Sequence, residues 1–319
     1  MNKKVLVTGC AGFIGSNLVD ELLLRNYKVL GIDNFSTGRI EFITNALKND
    51  KFQFHKKDLL IDETSHLFKE VEVVFHLSAN ADVRNGINQT YKDIQQNTIV
   101  THKVLENMRT NGCSEIVFSS TGSIYGDSRQ FPTPEDTNFP IQTSLYGASK
   151  LACEGIIQAY CEGFKFKSWI FRFVSILGER YTHGHLYDFY KQLLENPKQL
   201  TILGNGKQQK SYLYVKDCIN AIMMALDKSA DQINIYNLGT DEFSEVNNSI
   251  RLIKDFLGIK PILNYTGGIK GWIGDNPKIY LDTKKIKELG WKPQLNINES
   301  INKTLNYFHS NKWLFKKHE

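Results

Sequence analysis

Lys4-Val-Leu-Val-Thr8-Gly9-Cys-Ala-Gly12-Phe13-Ile14-Gly15-Ser-Asn-Leu-Val-Asp20 holds a short β-branched run, a turn punctuated by three glycines, and apolar residues at helical spacing. Lys4–Thr8 reads as a strand and Ile14–Arg25 as the helix that follows it. Working outward, the same alternation predicts strands at Lys28–Asp33, Phe52–His55, Val71–Leu77, Glu115–Ser120 and Ser168–Phe173. Helices are predicted at Thr98–Arg109 and Leu151–Cys161. Parallel strands need crossover connections, usually helices, so this pattern predicts an α/β fold with a doubly wound parallel sheet. After about residue 176 the rhythm loosens into loops at Gly178–His185, Gly204–Gly206 and Gly267–Pro277. Residues 1–176 are read as one domain and residues 177–319 as a smaller α/β lobe. Within that lobe, Tyr212–Val215, a helix to Leu226 and the strand Ile233–Leu238 suggest that about 211–240 return to the first domain.

The 319 residues are 41% hydrophobic and 23% charged, which fits a globular chain and excludes a disordered or fibrous one. A formal charge of +5 favours an anionic ligand, and the scatter of Lys and Arg argues against nucleic acid. The basic stretch Lys312 to Lys317 reads as a solvated tail. Cys10, Cys113, Cys153, Cys161 and Cys218 are odd in number and lack CxxC spacing, so neither disulfides nor a metal site is expected. The apolar run after the first residues is too short for a signal peptide, and no stretch approaches a membrane span. A cytoplasmic protein is the expectation.

Gly9, Gly12 and Gly15 sit where the first strand turns into the first helix. Glycines there allow a sharp turn and let a pyrophosphate approach the helix N-terminus, with Phe13 and Ile14 beginning the helix. Asp33 ends the second strand 18 residues past Gly15, near the offset of an acid that binds ribose hydroxyls. Its charge repels a 2′-phosphate, so NAD is expected over NADP. Asn34, Ser36, Thr37 and Gly38 follow it in the same loop. Asp58 and Leu59 follow the third strand; Asp58 is either an adenine-edge contact or a simple cap.

Tyr146 and Lys150 stand four apart at the start of a helix and so project from one face. An ammonium near the phenol, helped by a cationic cofactor ring, would lower the tyrosine pKa toward neutrality, as a general base requires. Thr121 lies in Ser119-Ser120-Thr121-Gly122-Ser123-Ile124-Tyr125-Gly126, closing a predicted parallel strand, where a hydroxyl points into the ligand crevice. It would pass on or orient a substrate proton.

Together these residues resemble the extended short-chain dehydrogenase/reductase family, within it the NAD-dependent epimerase/dehydratase group acting on nucleotide sugars and its UDP-glucose 4-epimerase-like members. The likeness also runs through His76–Val83, Pro132–Asp136, Ser144–Lys150, Arg172–Gly178, Gly204–Asp217, Gly274–Pro277 and Gly290–Pro293. It implies a Rossmann domain binding NAD, a smaller lobe binding the nucleotide sugar, and a homodimer through two helices. By position it implies cofactor contacts from Leu77, Ser78, Ala79, Asn97, Ser119, Tyr146 and Lys150. Substrate contacts are implied for Asp82, Thr121, Gly122, Ser123, Tyr146, Ser175, Arg180, His183, Lys210, Trp272 and Asp275.

Dehydratases of the group carry Asp-Glu after the catalytic Thr, and decarboxylating members keep the Glu. Here those places hold Gly122 and Ser123, which cannot serve as acid and base near neutrality. Oxidation at C4 of a nucleotide sugar remains, as a 4-epimerase or as a 4-dehydrogenase. The sugar is a UDP- or GDP-linked hexose or heptose for surface polysaccharide synthesis, a setting suggested by the Asn, Lys and Ile content. A 4,6-dehydratase and a non-catalytic dinucleotide-binding regulator are the alternatives. Ser175 replaces an Asn of the UDP-galactose epimerases, Lys210 an Arg, and Trp272 the Arg of their Arg-x-Gly-Asp loop. The diphosphate grip is therefore not kept as a bidentate set. Trp272 either stacks on a base or fills the core; His183 is either a rim contact or a loop histidine without a ligand.

Overall fold

The structure is a computed structural model describing residues 3–80, 82, 84–138 and 141–316, with Asn85 described by its backbone alone. Val83 and Lys317, part of two stretches read above, lie outside the described residues. The first half comprises β1 (Lys4–Thr8), α1 (Phe13–Leu24), β2 (Lys28–Asp33), α2 (Ile40–Ile43), β3 (Phe52–Lys56) and β4 (Val73–His76). A helical stretch follows as α3 (Thr90–Asp93), a π-helical segment (Ile94–Ile99) and α4 (Val100–Thr110), then β5 (Glu115–Thr121), α5 (Leu145–Phe164) and β6 (Lys167–Phe173). The second half holds β7 (Ser175–Leu177), α6 (His185–Glu195), β8 (Gln199–Ile202), β9 (Gln209–Lys210), β10 (Tyr212–Tyr214), α7 (Val215–Lys228) and β11 (Ile233–Leu238). It closes with β12 (Ser244–Glu245), α8 (Val246–Leu257), β13 (Ile262–Tyr265), β14 (Lys278–Ile279), α9 (Lys284–Glu288) and α10 (Ile297–Ser310).

Seven parallel strands form the central sheet in the order β11-β6-β5-β4-β1-β2-β3. This is the doubly wound Rossmann order with one strand added beyond β6. Alternate strand residues face opposite layers, and both layers are apolar, which is why these strands read as continuous hydrophobic runs. Val5, Val7, Trp169 and Phe171 enter one core, and Leu6, Ile116, Phe118 and Ile170 enter the other. The five cysteines are buried and unpaired, as small apolar side chains would be.

Two expectations are corrected. Tyr212–Tyr214 does not join the central sheet. β10 pairs with β7, which continues from β6 after the single residue Val174, while β11 alone returns to the sheet's edge. The tail is also not a solvated terminus. Residues Lys312–Phe315 form a 3₁₀ turn, and Leu314 is fully buried. Its carbonyl accepts from Arg39 Nη2 (2.9 Å) and Tyr187 Oη (2.9 Å), and Phe315 stacks on Tyr187. Basic composition concealed an apolar anchor flanked by lysines. Leu314→Ala should therefore cost about 2–5 kcal/mol, the range for a buried leucine; a urea midpoint equal to wild type would show that the tail is not part of the core.

Candidate active site

The turn after β1 is built by close backbone approach. Gly9 has φ +69°, and a Cβ on Gly15 would lie 2.0 Å from the Gly9 carbonyl oxygen, so neither position accepts a side chain. The chain can then enter α1 with no side-chain cap at Gly12, leaving its first N–H groups open beside Phe13 and Ile14. Asp33 meets this turn from the end of β2. Its Oδ2 accepts from Ala11 N (2.9 Å) and its Oδ1 from Phe35 N (2.8 Å), while burial raises its pKa against those hydrogen bonds. Gly38 lies against the same carboxylate, so that a Cβ there would fall 2.7 Å from Oδ1. Ser36 and Thr37 are exposed beside it. This glycine cradle facing a carboxylate fits an adenine dinucleotide, with the pyrophosphate at α1 and a ribose at Asp33.

Other expected cofactor residues are placed differently. Asp58 Oδ2 accepts from Asn34 Nδ2 (3.0 Å) and its Oδ1 from Leu60 N (2.8 Å), which favours the capping reading; Leu59 is buried. Leu77 and Ser78 donate their backbone N–H groups to Thr8 Oγ1 (3.1 and 3.2 Å), and with Ala79 they remain partly open. Asn97 stands behind the site rather than lining it. It is 1% exposed, its Oδ1 accepts from Asn80 N (2.8 Å), and its Nδ2 donates to Ser149 Oγ (2.9 Å).

Thr121 ends β5, and Tyr146 and Lys150 lie in the first turns of α5, which begins earlier than predicted because Ser144 Oγ accepts from Gly147 N (3.0 Å). The Thr121 side chain lies beside the Tyr146 phenol and accepts from Ser123 N (3.1 Å). Lys150 is 2% exposed, donates to Ser119 O (2.8 Å), and lies 4.6 Å from the Phe118 ring. The expected lowering of the tyrosine pKa is not a property of the bare protein. Burial pushes Tyr146 up to about 12; the neighbouring Thr121 hydroxyl opposes this, and Asp93 adds to it. The ammonium is aimed at Ser119 O and Phe118, and burial lowers Lys150 itself to about 8. Further positive charge in the cleft is what this phenol lacks. Gly122 is buried, and a Cβ would meet Ile279, Leu281 and Phe173 O at 3.3 Å, so a side chain there would need its neighbours to shift by a few tenths of an ångström.

Across the cleft, Lys210 Nζ donates to Asp275 Oδ1 (2.8 Å) and lies 4.9 Å from the Trp272 ring. Asp275 Oδ2 accepts from Gly271 N (2.9 Å), and Trp272 Nε1 is buried without an acceptor. Ser175 begins β7 beside Tyr212. His183 stacks on Tyr181 (5.9 Å); crowding by the surrounding protein lowers its pKa, although the ring keeps an open edge. Asp82 is exposed and accepts from Arg84 N (3.2 Å), and Arg84 Nη1 reaches Asp188 Oδ2 on α6 (2.9 Å). Arg180 is a correction. Its Nη2 pairs with Asp20 of α1 (2.7 Å), and it lines a hollow with Glu41, Lys216 and Trp313, not the cleft of Tyr146.

The profile described as the NAD dependent epimerase/dehydratase family matches residues 5–239. The chain belongs to that family. A Methanocaldococcus jannaschii protein provisionally named UDP-glucose 4-epimerase is 36% identical, over 96% of this chain and 99% of that protein. The UDP-glucose 4-epimerase of Mycolicibacterium smegmatis is 31% identical, over 96% and 98% of the two chains. The crystal structure of UDP-glucuronic acid 4-epimerase from Bacillus cereus, with UDP-glucuronic acid and NAD, superposes with a TM-score of 0.89 at 29% identity, covering 96% of this chain and 99% of that one.

Residues that the motifs alone did not reveal include Asn80, Asp93 and Ser149. Asn80 Nδ2 donates to Asp93 Oδ1 (2.8 Å), and Ser149 Oγ donates to Tyr146 O (2.8 Å), fixing the start of α5 from behind. An Asp one helical turn before Asn97 was the available signal.

Two outcomes follow from this geometry. NADP should bind at least about tenfold more weakly than NAD, a difference of about 1.4 kcal/mol, and Asp33→Ala should narrow the gap; equal dissociation constants by calorimetry would refute the role of Asp33. His76 bridges Thr8 Oγ1 (2.8 Å) and Thr101 Oγ1 (3.0 Å), and burial, with Lys150 adding to it, lowers its pKa to about 3. Between that value and the ~6.5 of an unfolded histidine, the unfolded chain binds a proton that the fold refuses, so acidification through this window removes stability. The urea midpoint should fall less steeply on acidification in His76→Gln than in wild type, and identical slopes would contradict the assignment.

Proposed function

We propose that the protein is an NAD-dependent 4-epimerase of a UDP-linked sugar. The observation that carries this reading is the placement of Thr121, at the carboxyl edge of the sheet, beside the Tyr146 phenol, with Gly122 and Ser123 where an acid and a base would stand. The names of its relatives support the UDP-sugar class.

Gly9, Gly12, Gly15 and Asp33 would hold the dinucleotide, and Tyr146, Lys150 and Ser119 would face its reactive end. A bound nicotinamide would supply the acceptor for hydride from the sugar carbon and the donor that returns it to the opposite face of the ketone. Thr121 Oγ1 orients the sugar O4 hydroxyl, and Tyr146 Oη takes its proton and later gives it back. Lys150 Nζ, held by Ser119 O and the Phe118 face, would contribute its charge to the dinucleotide's reactive end rather than to the phenol directly. Lys210, Asp275 and Trp272 form the opposite wall, where Lys210 serves the diphosphate as a point charge rather than a fork. Neither Gly122 nor Ser123 can protonate a departing C6 hydroxyl or withdraw the C5 proton, so water is not eliminated.

We further assign residues 1–176 with about 211–240 to the dinucleotide lobe and the remainder of 177–319 to the substrate lobe. A homodimer is proposed through α4 and α5, where Ala152, Gly155 and Ala159 leave an exposed face of small residues. A cytoplasmic role in surface polysaccharide synthesis is the proposed setting.

Incubation with UDP-glucose, UDP-N-acetylglucosamine and UDP-glucuronic acid, read by chromatography and mass spectrometry, tests this. The product should have the mass of its substrate and a shifted retention time. Loss of one water would establish a dehydratase, and loss of two hydrogens with matching NADH a dehydrogenase. Tyr146→Phe should lower turnover by ~10²-fold or more and leave NAD binding intact; retention of a third of the wild-type rate would remove Tyr146 from its role.

A further inference from the structure

One turn beyond Lys150, Glu154 of α5 carries its carboxylate into the core, where Arg172 of β6 meets it. Their side chains are 1% and 9% exposed. Arg172 Nη2 donates to Glu154 Oε2 (2.8 Å), and Nε lies 3.2 Å from both carboxylate oxygens. Glu154 Oε1 also accepts from Ser120 Oγ. The remaining edge of the guanidinium reaches the loop after β5, with Nη1 donating to Tyr125 Oη (2.7 Å) and to Glu135 O (2.7 Å). Tyr125 Oη in turn donates to Asn237 Oδ1 (2.8 Å) on β11, and Asn237 N donates to Glu135 Oε1 (2.8 Å).

The pair touches every element that carries the candidate catalytic group. Ser120 lies between Ser119, whose carbonyl holds Lys150, and Thr121, which lies beside the phenol. Tyr125 ends the 3₁₀ turn that starts at Gly122. Stability alone does not call for such a device, because desolvation offsets much of a buried ion pair's attraction and apolar replacements of similar volume are often as stable. Direction is what a bidentate, hydrogen-bonded pair supplies and an apolar contact does not.

We propose that Glu154 and Arg172 are positioning residues that fix the register of β5 against α5, and so hold Thr121 opposite Tyr146 and Lys150. The proposal rests on the reading of those three residues as the catalytic group. It is tested in the full-length protein with the UDP-sugar turned over in the screen above, measuring kcat, KM, NAD affinity by calorimetry and the melting temperature.

The double variant Glu154→Leu/Arg172→Met removes both charges together. It should melt near wild type and bind NAD within about twofold, with KM within about threefold and kcat lower by about tenfold or more, because small misplacements act on the reacting geometry. Ser120→Ala leaves the ion pair in place and removes only one hydroxyl, so it keeps the question open to test if the double variant does not fold. Its kcat should fall about threefold or more at unchanged KM, and Ser120→Thr should restore it. A folded double variant or Ser120→Ala with wild-type kcat overturns the proposal. So does a loss of kcat that is matched by losses of NAD affinity and melting temperature, which would make the network merely structural. Tyr146→Phe, run in parallel, separates the two failures: if it stays active the catalytic reading itself falls, and if it is inactive only the positioning role does.

Discussion

All strands of the central sheet run in one direction, and the placement of the site depends on that constraint. A parallel sheet gathers the carboxyl ends of its strands on one edge, and the crossovers leave and return so that neighbouring loops part between β1 and β4. The Gly9–Gly15 turn, Asp33, Leu77–Ala79 and Thr121 all follow strand ends on this edge. No single element contains the site. It exists because the hydrogen-bonded ladder fixes the ends of β1, β2, β4 and β5 side by side.

The edge imposes a cost, since polar groups end there against an apolar core. The chain answers with short buried networks rather than isolated polar side chains. Thr8 and His76 tie β1 to β4, Asn97 ties Asn80 to the start of α5, and Glu154 and Arg172 tie α5 to β5 and β6. Charge is handled in the same way. Lys150 is buried with a carbonyl and an aromatic face as its partners, which leaves its pKa depressed and that of Tyr146 raised. The site is thus built with its proton chemistry incomplete, ready for a positively charged ring to shift the phenol.

The fold was legible because strand and helix periodicities are local and strong. Five of the predicted strand starts and both ends of β1 and β2 coincide with the observed elements, since apolar β-branched runs bounded by turns have few alternatives. The helix bearing Tyr146 was less legible at its start, because its first turn, Leu145 to Ala148, contains a glycine and leaves Leu145 exposed. The tail misled for a similar reason. Lys312 and Lys316 flank an aromatic and aliphatic core anchor, and composition averages the two away.

The sequence by itself determined the parallel α/β architecture, the glycine turn with its acid, and the residue types at Thr121, Gly122, Tyr146 and Lys150. These follow from covalent chemistry and from spacing along one chain. Only the tertiary structure decided which of the nominated groups face the cleft and which are engaged elsewhere. Arg180 is turned to Asp20, and Asn97 to Asn80 and Ser149. A polar side chain's partner is set by what desolvation and distance leave within reach once distant segments meet, and spacing along the chain does not encode that.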